Sequence, residues 1–404
     1  MAQREFSATS GGVLLASVVA IMLGPTGILL NTFSLFIAPM SGEYAWDRAE
    51  VSLLVTLFGL AVAITSPLKG WLIDRWGARR TMLGLTAALS LPLLGLAAVN
   101  AVWQLYALFL LIGLLAPGNL PYGRILGLWF RQRLGVAYGL LGLGFGVGGP
   151  LGLLVGHQSL EAWGWRGAFL VYGVLELGLA LPLLAWLFRE PAPDAGVAAG
   201  TAVAETALSG STAPQAWRSA SFWLVLGNQV LAVFVMSGIM THGVPMLVER
   251  GLSRGEAGTA LSALWVGMML SQPLMGWRLD RVATPRVALP FALAAVLGMA
   301  WFLVGDTPSG LWLAVFLVGL GGGGESGTTK YLLMRYFGLR SFGVIYGSIQ
   351  PFTFALSISL GAYLLGWLYD RAEGYGTAEW VLLAAFSLAA CSLFAFRPYP
   401  QKLP

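Results

Sequence analysis

The sequence predicts an all-α membrane protein of twelve transmembrane helices arranged as two related six-helix halves. Three observations carry that expectation: the composition, the spacing of long apolar runs, and a motif the chain spells twice. Of 404 residues, 57% are hydrophobic and only 10% are charged, against about 25% charged in an ordinary soluble domain. A soluble core has no room for so much apolar surface, so the surrounding solvent is lipid.

Apolar runs of roughly 20 residues are long enough to cross a bilayer as helices. Twelve are read, at 13–38, 49–72, 81–99, 103–130, 136–157, 167–188, 221–247, 256–279, 286–304, 310–336, 342–368 and 378–396. The first run is too long for a cleaved signal peptide, and eleven more follow it. Residues 189–219 break the rhythm with Pro, Ala, Gly, Ser and Thr, a composition expected of a flexible linker. The expected organisation is therefore a half at 1–188, a cytoplasmic linker at 189–219 and a second half at 220–404.

Basic residues orient the spans. With both termini in the cytoplasm, fourteen Lys and Arg fall in inner segments and five in outer ones, as the positive-inside rule requires of a multi-pass protein of the plasma membrane. Four cations remain inside spans: Lys69, Arg124, Arg278 and Lys330.

The repeated motif is Pro-Leu-x-Gly-Trp-x-x-Asp-Arg. It runs from Pro67 to Arg75 and again from Pro273 to Arg281, at the inner end of the second helix of each half. A second echo, GVAYG at 135–139 and GVIYG at 343–347, opens the fifth helix of each half. Internal repeats of this kind mark transporter folds built from two related halves around a midplane site.

Several chemistries are excluded. One cysteine, Cys391, permits neither a disulfide framework nor a thiolate metal site. His157 and His242 lie far apart, and no metal or cofactor site is expected. A net charge of +5 could suggest nucleic acid, but the basic residues form no aromatic-interleaved patch and no nucleic-acid partner is expected. GGGGESGTTKYLL at 321–333 has Gly-Thr-Thr-Lys where a phosphate loop needs Gly-Lys-Thr, and no strand precedes it. Gly144, Gly146 and Gly149 lack a strand for a dinucleotide fingerprint and are expected to allow close helix packing.

Over essentially its whole length the chain resembles the major facilitator superfamily, with GWLIDRWGARR matching that family's loop between helices two and three. AWDRAEVSLL at 45–54, WFRQRLGVAYG at 129–139 and RYFGLRSFGVIYG at 335–347 are similar to its monocarboxylate transporter branch, the solute carrier 16 type, and bacterial relatives. The resemblance implies alternating access, an inner gate latched by Asp74, Arg75, Asp280 and Arg281, and transport of small monocarboxylates such as lactate or pyruvate with a proton. It departs from the branch at Asn31, where a lysine is usual, and at Met268 and Gln272, where an acid and an arginine are usual. The carboxylate anchor and proton carrier of the branch are thus missing from their usual places.

Ionisable groups inside a membrane cost roughly 2.5–3.5 kcal/mol on insertion scales and are functional candidates by default. Lys69 lies one turn from the inner end of helix two and is expected to snorkel to water. Arg278 stands where the first copy has Leu72. Side chains lean towards a helix's N-terminus, so its planar fork is expected to rise towards the cavity and bind a carboxylate; the competing role is a gate contact with Asp280. Arg124, Asn119 and Tyr122 share helix four, with Arg124 either binding substrate or structural. Lys330 and Tyr331 on helix ten, Asn228 on helix seven and Asn31 on helix one complete the substrate-binding candidates. Asn228 and Asn31 could equally serve as interhelical hydrogen-bonding groups. Glu325, and secondarily His242, are the candidate proton carriers; Glu176 is expected to face a neighbouring helix.

The expected function is proton-coupled symport of a small carboxylate by a monomer embedded in lipid. Anion exchange of the oxalate–formate kind, for which the Gly-Gly-Pro cluster of helix five speaks, and efflux of another compound remain alternatives. A membrane sensor would need a signalling domain, which neither linker nor tail contains. An enzyme would need a nucleophile–base pair or metal cluster, and the sequence has neither.

Overall fold

The computed structural model describes residues 5–25, 27–44, 48–191, 210–282, 284–305 and 307–400. The described residues are overwhelmingly helical. α1 has three pieces, Ala8–Leu23, Leu29–Thr32 and Ser34–Tyr44; α2 is Arg48–Trp76, and α3 is Ala78–Gly95 with a 3₁₀ turn at Leu96–Ala98. α4 has two pieces, Val102–Leu115 and Leu120–Trp129. The run Leu134–Leu175 holds α5 and the start of α6, which continues through a π-helical segment, Glu176–Ala180, into Leu181–Leu187. α7 is Ala220–Glu249, α8 is Arg254–Arg281, and α9 is Pro285–Ala288 with Leu289–Val304. α10 is Pro308–Gly323 with Glu325–Phe337. α11 is Phe342–Phe352, a π-helical segment at Thr353–Ser359 and Leu360–Ala372; α12 is Gly376–Ala395.

Eight helical stretches among the described residues are long and apolar enough to cross a membrane. The difference from the twelve expected runs has physical causes. Leu134–Leu187 counts as one stretch of 54 residues, about 80 Å of helix at 1.5 Å per residue, against about 30 Å of hydrocarbon. It is two crossings joined at Gly164, whose φ of 69° and ψ of −178° suit only glycine. α1 leaves the helix at Gly24 and Pro25 and resumes after Gly27 and Ile28, α10 breaks at Gly324, and the apolar run of α8 is diluted by Ser271, Gln272 and Pro273. Lipid holds no hydrogen-bond partners for backbone, so such breaks persist only where protein or a cavity covers them.

The chain forms two compact units: Met1–Gln132 with Leu143–Ser209 and Leu339–Pro351, and Arg133–Gly142 with Gly210–Gly338 and Phe352–Pro404. The first tip of α5 thus packs with the second unit and the first tip of α11 with the first. In the first unit, Phe36, Phe109, Phe169 and Tyr172 form an aromatic cluster with ring centroids 4.7–6.4 Å apart. The Tyr172 hydroxyl donates to Thr32 Oγ1 and to the Gly152 carbonyl, both at 3.1 Å. In the second unit α8, α9 and α10 meet through glycine: a Cβ on Gly267 or Gly298 would run into α10 backbone, and one on Gly319 into the Leu264 carbonyl. Within the expected linker 189–219, residues 192–209 lie outside the described residues, and Ala213–Trp217 is a short helix with a Thr212–Gln215 capping box.

Gly164→Ala should destabilise the protein by about 1–3 kcal/mol through backbone strain alone, because nothing lies within 4 Å of the added Cβ. Gly227→Ala, also open but in the regular helix α7, should be neutral or stabilising by up to about 1 kcal/mol. Thermal unfolding of the two variants checks the pair; equal shifts would exclude strain at the α5–α6 turn.

Candidate functional site

The two echoes are the two sides of one contact, made twice. The first N–H groups of a helix have no intrahelical partner and carry the positive end of its dipole. Asp74, in the last turn of α2, accepts from the N–H groups of Gly343 (3.0 Å) and Val344 (2.9 Å) at the start of α11. Asp280, in the last turn of α8, accepts from Gly135 (2.6 Å) and Val136 (2.8 Å) at the start of α5. The Asp of each first echo therefore caps the Gly-Val of the second echo from the other half. The first contact lies within the first compact unit, the second within the second.

Glycine makes the approach possible. A Cβ on Gly70 would meet the Gly343 carbonyl, and one on Gly276 the Gly135 carbonyl. One turn further along, Gly347 lies against the Ser66 carbonyl and Gly139 against that of Gln272. Charge-assisted hydrogen bonds are the strong ones, and here they form over backbone that no larger residue would allow so close.

The arginines of the motif do something other than expected. Arg75 lies over the Trp71 ring at 5.1 Å and Arg281 over Trp277 at 4.0 Å, each four residues back on its own helix. Asp74 and Asp280 accept from the helix N-termini, while these two arginines stack on their own helices' indoles. Asp74 has one further partner, Arg124 of α4, whose Nη1 donates to Oδ1. Arg124, weighed as a substrate ligand or a structural residue, is thus engaged with an aspartate of its own unit.

Other candidates are also engaged. The Tyr331 hydroxyl donates to the Leu279 carbonyl (2.7 Å) and accepts from Arg335 Nη2 (2.8 Å), so it ties α10 to α8. Asn228 Nδ2 donates to Ala389 O (2.9 Å) and Ser392 Oγ (3.0 Å), joining α7 to α12. Asn31 Nδ2 donates to Gly27 O at 2.8 Å within α1. His242, half-buried, has Nδ1 3.1 Å from the Tyr375 hydroxyl. Lys69 does not snorkel: it is 2% exposed and its Nζ donates to the Gly113 carbonyl of α4 at 2.9 Å. Lys330 is buried on α10. Glu325 begins the second piece of α10; its side chain lies outside the described residues. Tyr122 and Asn119 line a small cavity of the first unit together with Glu176.

Arg278 differs from all of these. It is half-buried in the last turn of α8, its Nε is buried, and its guanidinium has no hydrogen-bond or carboxylate partner among the described residues. Asp280, its alternative partner, faces the α5 tip instead. The residues that sequence reasoning passed over are the backbone donors Gly135, Val136, Gly343 and Val344. Their signal was present in the second echo, read only as a repeat.

Comparison with known proteins agrees with this architecture. Residues 19–362 match the Major Facilitator Superfamily, and the chain belongs to that family of membrane transporters. The probable nitrate/nitrite transporter NarK2 of Mycobacterium tuberculosis is 26% identical over 381 residues, covering 89% of this chain and 91% of that protein. Monocarboxylate transporter 13 of Bos taurus is 25% identical over 384 residues, covering 92% and 85% respectively. The crystal structure of the transporter FucP in the outward conformation superposes with a TM-score of 0.74 at 14% identity, covering 98% of this chain and all of that one.

Asp280→Ala should destabilise the protein through loss of two charge-assisted bonds, about 1.5–3 kcal/mol each. Asp74→Ala should in addition leave buried Arg124 uncompensated, a loss of about 3–5 kcal/mol. Part of that loss should be recovered in Asp74→Ala combined with Arg124→Met. Thermal unfolding of the purified variants decides it; a double variant as weak as Asp74→Ala alone would deny Arg124 its role.

Proposed function

We propose that this chain is a secondary active transporter of small monocarboxylates, of the lactate or pyruvate type, that moves the anion with a proton by alternating access as a monomer. The observation that carries the substrate class is Arg278. A cation placed in a span without a protein partner is costly, and a guanidinium fork matches a carboxylate with two parallel hydrogen bonds. The whole-length relationship to a protein named a monocarboxylate transporter supports the same class. Lys69 and Arg124 are bound to other groups, which leaves Arg278 better suited to an incoming anion than either. Both termini are assigned to the cytoplasmic side of the plasma membrane, on the distribution of basic residues.

A second reading has its own support. Nitrate is also a small planar monovalent oxyanion, and the relative covered to 91% of its length bears a nitrate/nitrite name. Lactate, pyruvate and nitrate titrated into the same purified protein distinguish the readings by affinity. Proteoliposomes taking up labelled lactate faster under an inward proton gradient support symport; uptake driven only by an opposing anion supports exchange.

Losing a bidentate pair should weaken lactate affinity at least about tenfold. Arg278→Lys should retain part of the binding through charge, whereas Arg278→Ala should retain almost none, both read by calorimetry. Near-native affinity in the alanine variant would move the anchor elsewhere and return Arg278 to the gate.

The two Asp-to-helix contacts are proposed as the inner gate. Asp74→Asn and Asp280→Asn weaken them and should shift the population towards the inward-open state. Cysteines introduced along the cavity should then react faster with reagent added from the cytoplasmic side; unchanged labelling rates would count against the latch.

A further inference from the structure

Glu176 is an acid placed deep in a span, and no step described so far uses it. It is 2% exposed and sits at the first position of the π-helical segment of α6, near the middle of that crossing. Its Oε2 is buried and has no hydrogen-bond partner among the described residues, and no ion pair reaches it there. Its carboxyl lines a cavity of about 20 Å³ that Pro25, Pro117, Asn119 and Tyr122 also border, room for about one water.

Three pieces of irregular backbone bound that cavity. α1 is interrupted at Gly24 and Pro25, α4 at Ala116–Asn119, where Gly118 has φ +61°, and α6 widens into its π segment. Irregular backbone at membrane depth persists only where it is covered by protein or lines a watered cavity, and π segments gather at functional sites. Converging breaks, two polar side chains from Asn119 and Tyr122, and an unpartnered acid describe a built site.

The charged surroundings favour a bound proton over a bound cation-and-carboxylate pair. The elements packed on the π segment are the first piece of α1, α3 and the last piece of α6. Ala8–Leu23 and Leu181–Leu187 carry no titratable residue. On α3 the titratable groups are Arg79 and Arg80 in its first turn. Arg79 Nη2 donates to Ala185 O at 2.7 Å and Arg80 is exposed. From α4, Tyr122 borders the same cavity and Arg124 is held by Asp74. An ionised carboxylate would sit here with one oxygen lacking any donor, whereas the neutral acid costs far less to bury.

We propose that Glu176 is a proton-binding site of the first unit, loaded from water in the Asn119–Tyr122 cavity and unloaded during turnover. On loading, a hydronium ion gives its proton to the carboxylate, an O–H bond forms on Glu176 and water is left behind; unloading is the reverse. The turnover part rests on the symport reading above; the binding part does not.

Two measurements test it. Infrared spectra of the purified protein at neutral pH should contain the carbonyl stretch of a protonated carboxyl group that shifts in deuterium oxide. That stretch should vanish in Glu176→Gln, move in Glu176→Asp and remain in Glu325→Gln. A spectrum unchanged by Glu176→Gln, or lacking the band in the wild type, overturns the site. In proteoliposomes, Glu176→Gln should keep lactate exchange and lose the response of uptake to an inward proton gradient; a retained response overturns the turnover role. Should wild-type protein take up no lactate at all, the substrate reading fails while the infrared result still judges Glu176.

Discussion

A carboxylate set against the free N–H groups at the start of a helix governs how both compact units are put together. Asp74 and Asp280 each take two backbone hydrogens from a helix that belongs, by sequence repeat, to the opposite half. The first turn of that helix is drawn into the capping residue's unit, which is why 133–142 and 339–351 cluster away from the rest of their own halves. The bond needs a negative charge, a helix dipole and two chains close enough for direct contact. Asp provides the first, the starts of α5 and α11 the second, and Gly70, Gly276, Gly135 and Gly343 the third. Each contact takes its capping aspartate from one half and its capped helix start from the other, so two contacts need each echo twice.

Much of this was legible in the sequence because lipid is a strict solvent. Long apolar runs, the charge asymmetry between loops and the doubled motif follow from it directly, and they point to the superfamily now found over residues 19–362. The helix breaks were not legible. Gly24, Ala116 and Gly324 fall inside the expected spans 13–38, 103–130 and 310–336, and a window of span length averages over a break. Nor could the sequence say which apolar face meets protein. Lipid-facing and core-facing positions are equally apolar here, so the periodicity that orients a soluble helix is missing. Tyr331, Asn228 and Arg124 looked like substrate ligands for that reason: each is polar, and each reaches a protein partner that only the fold supplies.

The departures from the monocarboxylate branch acquire physical content. Gln272, at the place of that branch's arginine, is buried, and Gly139 and Gly142 pack on it. A charged residue there would have to fit against backbone that glycine has brought into contact. Helix eight has a cation instead at Arg278, six residues further on in its last turn. Arg124 and Lys69 are bound to Asp74 and to the Gly113 carbonyl, within the first unit. The division between cations that brace the scaffold and one left open is drawn by hydrogen-bond partners, not by residue type.

The stacked pairs Trp71–Arg75 and Trp277–Arg281 have a bearing on the bilayer as a material. Both tryptophans are outward-facing, 43% and 45% exposed, and an indole beside a guanidinium settles at the headgroup boundary. Each pair ends the same turn that holds a capping aspartate. The immersion depth of α2 and α8 is thereby tied to the position of Asp74 and Asp280 by less than a turn of helix. Within each unit, stretching or thinning the membrane would pull on the indole and, through less than one turn of helix, on the cap beside it, which makes lipid a mechanical input to that cap.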